Sequence, residues 1–319
     1  MPLRRLTPGR LGIGAAVAAT VTLALTACGS PAATAPPTAG GSTPIAVVTS
    51  TNVYGSIVKA IGGDKITVDS LINDPAADPH SYESTPADAV KISKAAIVVL
   101  NGGGYDDWMP KLVQSAGDAA GRTVIDVAAL SGLEPSPAPT DGSFNEHVWY
   151  DLPTVTKLAS TLSDDLAKAD AANAATYSAN AQAFIAKLAE LTTKTKAIGT
   201  AHPGARVAIT EPVPGYLIKA AGLTDATPTE FAEAVEEDID PPAAVLQATL
   251  ALFAGTDRVK ALILNAQTET PTTNQVKQAA QTSGVPVVDV TETLPAGATD
   301  YVTWMGGEID ALATALNRA

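Results

Sequence analysis

The sequence predicts an α/β protein made of two Rossmann-like lobes with mainly parallel sheets, joined by one long rigid helix. Short apolar segments alternate with helical patterns, which is typical of parallel sheets covered by helices. The alternation stops in the middle of the chain and then restarts. Between the two series, the segment from Asp170 to Ala197 contains neither proline nor glycine.

Short apolar segments bounded by turn residues predict the strands. We place an N-terminal lobe at residues 45–169 and a C-terminal lobe at residues 200–319. Thr85 to Asp88 form a capping-box pattern that opens a helix, with Pro86 at its first position. The predicted strands are Ile45–Ser50, Ile66–Ile72, Ala96–Leu100, Thr123–Val127, Arg206–Thr210, Lys260–Leu264 and Val285–Val290.

Residues 170–199 are predicted to form the linking helix. An apolar stripe recurs there at steps of four and three, so one face of the helix contacts both lobes. At ~1.5 Å per residue, such a helix is about 40 Å long. Two shorter helices broken near Asn180 are the alternative. The stripe consists of Tyr177, Ala181, Phe184, Leu188 and Leu191.

The N-terminus predicts export. Residues 1–27 have the positive start and apolar stretch of a signal peptide, and the tetrad Leu25 to Cys28 resembles the lipobox of bacterial lipoproteins. This resemblance implies that Cys28 is lipidated and anchors the chain. An ordinary signal peptide or a permanent membrane anchor are the alternatives. Residues 28–44 are rich in Gly, Pro, Ser, Thr and Ala and predict a flexible tether.

Composition restricts the partners. Cys28 is the only cysteine, so the chain has no intramolecular disulfide and no thiolate cluster. The net charge of −13 argues against nucleic acid as a partner. An acidic chain suits a cation ligand, but a soluble acidic surface explains the charge equally well.

Four potential metal ligands follow predicted strands or precede a predicted helix. His80 lies in the loop after the second strand, and His147 lies just ahead of the helix that begins near Leu152. Glu211 and Glu292 follow two strands of the second lobe. Ligands of open α/β sheets bind outside the carboxyl ends of the strands, so all four could meet in one cleft. His202 precedes a strand and is expected on the surface, away from that cleft.

Other functional classes have weaker support. The chain has no His-Glu-x-x-His stretch and no Gly-x-Ser-x-Gly elbow, so we expect no enzyme. An exported metal-dependent hydrolase and a metal-binding surface adhesin involved in cell adhesion are the alternative functions. The acidic segment 236–240 is a conceivable calcium patch, but without EF-hand spacing it is better explained as a solvated loop.

These residues also carry a family resemblance that covers the chain from Ile45. The chain resembles the zinc/manganese-binding lipoproteins of bacterial ABC importers, the cluster A-I solute-binding proteins. The matching segments are 78–83, 85–88, 101–102 with Trp108, 147–151, Glu211 with 215–217 and 222–223, and 290–294.

The resemblance implies that two lobes clamp a single divalent ion through His80, His147, Glu211 and Glu292. It implies a monomer, lipid-anchored at Cys28 to the outer face of the cytoplasmic membrane. The ion passes to an ABC permease and, through that permease, to its ATPase. Glu211 in third place favours Mn²⁺ over Zn²⁺, although most N/O sites bind Zn²⁺ more tightly.

Overall fold

The computed structural model describes most of the chain after the predicted tether. The predicted signal peptide, most of the tether and the lipidation site Cys28 lie outside the described residues. No helix in the described part is both long enough and apolar enough to cross a membrane. The described residues are 43–75, 77, 79–117, 121–135 and 144–318.

Within these ranges, eight strands form two four-stranded sheets, one in each half of the chain. All strand pairs are parallel, in the orders β2-β1-β3-β4 and β6-β5-β7-β8. The predicted pair of parallel sheets is therefore confirmed. The strands are β1 Ile45–Thr51, β2 Ile66–Ile72, β3 Ile97–Leu100, β4 Thr123–Asp126, β5 Arg206–Ile209, β6 Thr224–Asp225, β7 Leu262–Asn265 and β8 Val287–Val290.

The helices follow the strands, as the alternating pattern predicts. The capping box at Thr85 is present, with its side chain accepting a hydrogen bond from the Asp88 amide. Short 3₁₀ turns at Gly63–Lys65, Val148–Tyr150 and Ala171–Asn173 supplement them. The α-helices of the described part are α1 Asn52–Gly62, α2 Pro86–Lys94, α3 Trp108–Ser115, α4 Val127–Ser131, α5 Leu152–Ala169, α6 Ala174–Ala201, α7 Gly215–Ala220, α8 Thr229–Glu236, α9 Ala243–Ala251, α10 Pro271–Thr282 and α11 Tyr301–Leu316.

The helix α6 is continuous through Asn180, so the alternative of two shorter helices is wrong. Its 28 residues span about 42 Å at ~1.5 Å each. All five residues of the predicted stripe are buried, and Thr195 and Ile198 continue the buried face. This face packs against α1 and α5 on one side and α7 and α11 on the other, so α6 joins the two lobes.

The main core extends through both lobes. One cluster of buried apolar residues includes strands of both sheets and the stripe of α6. Two smaller clusters lie in the outer layers, one around Phe231 and Phe253 in the second half and one around Ile92 and Met109 in the first. The shared cluster therefore packs elements of both lobes against one another.

A close helix–loop contact at the end of α6 gives a test of this packing. A Cβ atom on Gly199 would lie 2.3 Å from the carbonyl oxygen of Ala221, which is backbone and cannot rotate away. We expect Gly199→Ala to lower the free energy of unfolding by about 1–3 kcal/mol, measured by urea denaturation. Gly307→Ala in α11 is the control, since its Cβ would meet open space. We expect that control to be neutral or slightly stabilising. Equal stability of the two variants would contradict the close contact.

Candidate metal centre

Two histidines and one glutamate bring their side-chain ligand atoms together in the cleft. In the described part, the potential ligand atoms of His80, His147 and Glu236 all lie within 4.8 Å of one another. Glu236 Oε1 is 3.2 Å from His80 Nε2 and 3.3 Å from His147 Nε2. Metal–ligand bonds of about 2.1 Å place neighbouring donor atoms roughly 3.0–3.5 Å apart, so these separations suit a common ion.

The histidines come from two loops of the first lobe. His80 lies between β2 and α2, and its side chain is 30% exposed. His147 directly precedes the 3₁₀ turn Val148–Tyr150 and is fully buried. The Tyr105 ring lies edge-on to both imidazoles, with centroid distances of 4.9 Å to His80 and 5.8 Å to His147. The site is therefore open to solvent on the side of His80.

A neighbouring amide orients His147. The Asn145 Nδ2 group donates to the carbonyl oxygen of Pro212 at 2.9 Å, so Asn145 Oδ1 faces the imidazole. This oxygen accepts a hydrogen bond from His147 Nδ1 at 2.9 Å. The Nε2 atom is thereby directed at Glu236, and its lone pair is available to a metal whenever the ring is neutral.

Glu236 is the last residue of α8, and its side chain is only 11% exposed. The helix end is closed by hydrogen bonds from the Asp238 amide to the Val235 carbonyl at 3.1 Å and from the Ile239 amide to the Ala234 carbonyl at 2.7 Å. Asp238 has a positive φ of 53° in this turn. This arrangement is a helix C-cap of the Schellman type, and it fixes the backbone that carries Glu236.

The two predicted glutamates are buried in the second lobe and linked to each other. Glu211 follows β5 and Glu292 follows β8, and both are almost fully buried. Asn265, at the end of β7, donates from Nδ2 to Glu292 Oε1 at 2.7 Å and also to Glu211 Oε2. The hydroxyl of Thr268 donates to Glu211 Oε1. The side-chain amide of Asn265 therefore links Glu211 to Glu292.

The buried charges shift one another's protonation. Burial acts to lower the pKa of His80 and of His147, but Glu236 outweighs it and raises each pKa to about 9. Burial acts to raise the pKa of Glu236, but the two histidines outweigh it and lower that pKa to about 2. Burial raises the pKa of Glu211 to about 8 and also raises the pKa of Glu292. A protonated imidazole carries its additional proton on the nitrogen atom that would bind a cation. Metal binding must therefore release protons.

The structure groups the sequence-predicted ligands His80 and His147 with Glu236. The other two, Glu211 and Glu292, are linked to each other through Asn265. His202 lies elsewhere, at the end of α6, where its Nε2 atom is 3.1 Å from Asn317 Oδ1. Sequence reasoning missed Glu236 because it treated residues 236–240 as a solvated loop. A signal was present: Glu236 follows the buried Ala232 by four positions, which places a carboxylate on a buried helix face.

Comparisons with known proteins agree with this architecture. A family model described as "ZnuA: Zinc-uptake complex component A periplasmic" matches residues 47–315. The manganese-binding lipoprotein MntA of Halalkalibacterium halodurans is 30% identical over 146 residues, which are 46% of each chain. The iron ABC transporter substrate-binding lipoprotein MtsA of Streptococcus pyogenes serotype M1 is 31% identical over 160 residues, 47% of this chain and 50% of that protein. The present chain thus spans about half the length of these curated relatives.

A solved structure is similar over a greater length. The substrate-binding protein FpvC of Pseudomonas aeruginosa, in complex with Mn²⁺, has a TM-score of 0.69 and 25% sequence identity. The similarity covers 86% of this chain and 99% of FpvC. Together with the two-lobed fold and the His-His-Glu cluster, the family match over residues 47–315 shows that this chain belongs to the ZnuA family.

Proposed function

We propose that the protein captures one divalent transition-metal ion outside the cytoplasm and delivers it to an ABC importer. The observation that carries this proposal is the convergence of His80, His147 and Glu236 in a cleft between the two lobes. Imidazole nitrogens with carboxylate oxygens are ligands that divalent transition metals favour. Family membership supports the transport role.

Capture rather than catalysis fits the surroundings of the cluster. Glu292 interacts electrostatically with all three clustered residues, and Glu211 with Glu236, so further carboxylates are available near a bound ion. A catalytic metal keeps an open position for water or substrate. An ion held by side chains of both lobes is retained until the lobes separate, which is the behaviour that a delivery protein requires.

The donor set favours Mn²⁺ as the cargo over Zn²⁺. Two imidazoles and at least two carboxylates form a relatively hard set, and carboxylate oxygens suit manganese. The intrinsic order of affinities still places Zn²⁺ above Mn²⁺ at almost any such site. We therefore propose that manganese loading depends on metal supply as well as on the ligands.

Location and partners follow from the same proposal. Lipidation of Cys28 would anchor the protein to the outer face of the cytoplasmic membrane, with residues 29–44 as a tether. The loaded monomer would then dock on a permease, whose ATPase drives import. The relatives named as ABC transporter lipoproteins support this arrangement.

The test is a measurement of metal content and binding on the same protein. We expect mass spectrometry of protein purified from its own envelope to find about one transition-metal ion per chain. Calorimetric titration of the metal-stripped protein should show saturable binding of Mn²⁺ and Zn²⁺ at one site, with Mg²⁺ and Ca²⁺ as controls that do not compete. Absence of saturable binding for every transition metal tried would contradict the proposed function.

A further inference from the structure

One short segment of the second lobe holds the residue that orients His147. Asn145 belongs to the first lobe, and its Nδ2 group donates to the carbonyl oxygen of Pro212 at 2.9 Å. The Tyr216 hydroxyl donates to the main-chain oxygen of Asn145 at 2.6 Å. Residues 212–216 directly follow Glu211 and lead into α7. The second lobe therefore holds both the side chain and the main chain of Asn145.

The 212–216 segment is stiff and leaves space for this amide. Pro212 and Pro214 have fixed φ angles, and Val213 between them is fully buried. The carbonyl oxygen of Pro212 also accepts from the Gly215 amide at 2.8 Å. A Cβ atom on Gly215 would lie only 2.7 Å from Asn145 Nδ2, so a glycine at this position makes the close approach possible.

The other end of the same amide contacts the metal-site histidine twice. Asn145 Oδ1 accepts from the main-chain amide of His147 at 3.0 Å and from its Nδ1 atom at 2.9 Å. An asparagine side chain has one oxygen acceptor and one NH₂ donor, so a single orientation satisfies His147 and Pro212 together. Moving the second lobe away would remove the acceptor of Nδ2 and the hydrogen bond from Tyr216. The amide would then no longer be held against His147.

We infer that Asn145 and Tyr216 are positioning residues, which make the orientation of His147 depend on the place of the second lobe. This inference rests on the proposed function and extends it to the release of the ion. Separation of the lobes would weaken two interactions at once, because it withdraws the Glu236 carboxylate and also frees the imidazole of His147. The ion is then released more readily than by loss of the carboxylate alone.

The test is the rate at which the Mn²⁺-loaded full chain releases its ion into an excess of chelator. Tyr216→Phe keeps the ring and removes one hydrogen bond, so we expect release to be about 3–10-fold faster. Asn145→Ala removes the whole amide, and we expect release to be about 10–100-fold faster, the range for groups that orient a metal ligand. Because Tyr216 acts through Asn145, adding Tyr216→Phe to Asn145→Ala should change the rate by less than about twofold.

A matched tyrosine separates positioning from a general loss of stability. The Tyr177 hydroxyl donates to Asp170 Oδ2 at 2.9 Å at the start of α6. We expect Tyr177→Phe to lower the thermal stability of the metal-free protein and to leave the release rate unchanged. Thermal unfolding also shows whether each variant is folded, and Tyr216→Phe decides alone if Asn145→Ala is not.

The outcomes are distinct. Faster release from Tyr216→Phe, with no further effect in the double variant, supports the inference. Three results overturn it while the proposed function stands: unchanged release from Tyr216→Phe, independent effects that multiply in the double variant, or equally fast release from Tyr177→Phe. If the unchanged protein binds neither Mn²⁺ nor Zn²⁺, the proposed function fails, and the inference fails with it.

Discussion

Replacing His147 by alanine is expected to abolish tight metal binding and also to destabilise the metal-free protein. The variant removes one imidazole ligand, so we expect the affinity for Mn²⁺ and Zn²⁺ to fall by more than about a hundredfold. It also leaves the buried Glu236 carboxylate with His80, whose side chain is 30% exposed, as its remaining imidazole partner. Removing one partner of a buried ion pair costs about 3–5 kcal/mol, because the remaining charge is poorly compensated.

A double variant distinguishes the loss of metal binding from the loss of stability. Adding Glu236→Gln to His147→Ala removes the unpaired charge, so we expect most of the lost stability to return while metal binding stays absent. Calorimetric titration measures the first effect, and urea unfolding in the presence of a chelator measures the second. His202→Ala is the matched control, since this histidine lies outside the cleft and should change neither quantity. A double variant no more stable than His147→Ala would contradict the buried ion pair.

Replacing Glu308 by glutamine is expected to remove a large pH dependence of stability. Burial raises the pKa of Glu308 to about 8, against the hydrogen bonds from Tyr150, Thr291 and Trp304. The Tyr150 hydroxyl lies 2.7 Å from the Thr291 carbonyl oxygen and 2.8 Å from Glu308 Oε2. Tyr150 has one hydroxyl proton for these two acceptors, so it donates to only one of them at a time, and a protonated Glu308 can supply the proton for the other contact. The Thr291 amide donates to Glu308 Oε1 at 3.1 Å.

The direction of this pH dependence follows from the protons that Glu308 binds in the folded and in the unfolded state. In the unfolded chain a glutamate loses its proton near pH 4.3, whereas the folded chain keeps it up to about pH 8. The folded state binds more protons between these values, so the unfolding free energy falls as the pH rises through this window. The loss reaches about 5 kcal/mol above pH 8. A glutamine keeps the donor and acceptor of the protonated acid and has no proton to lose.

We therefore expect Glu308→Gln to match the unchanged protein near pH 5 and to be more stable at pH 8.5, with chelator present. Urea unfolding at both pH values measures this difference. Glu190→Gln, on the exposed face of α6, serves as the control that should leave the pH dependence unchanged. A constant difference between Glu308→Gln and the unchanged protein at both pH values would rule out a protonated Glu308 in the folded state.

The surroundings of Glu308 also show how the two lobes are joined near the candidate site. Tyr150 follows His147 by three positions, and Thr291 directly precedes Glu292. The hydrogen bonds among Tyr150, Thr291 and Glu308 therefore connect a ligand segment of each lobe. Asn145 makes a second connection of this kind, from His147 to Pro212.

The sequence by itself determined the parallel α/β architecture, the linking helix and the two histidine segments. Alternation of apolar strands with helices and the stripe from Tyr177 to Leu191 are local patterns, because backbone geometry sets their periods. Strand ends shifted by one or two residues; the predicted end of the fourth strand, Val127, begins α4 instead. Such shifts arise because hydrogen-bond partners, which the periodicity does not show, decide where a strand ends.

Only the tertiary structure decided which carboxylates accompany the histidines. Glu211 and Glu292 were predicted from their places after strands, but their hydrogen bonds to Asn265 and Thr268 join segments more than 20 residues apart. Glu236 stands on α8, and its approach to His80 and His147 depends on how that helix packs across the cleft. Glu236 lies 89 positions after His147 and 156 positions after His80. Contacts over such separations do not affect the local sequence pattern, so only the folded chain reveals them.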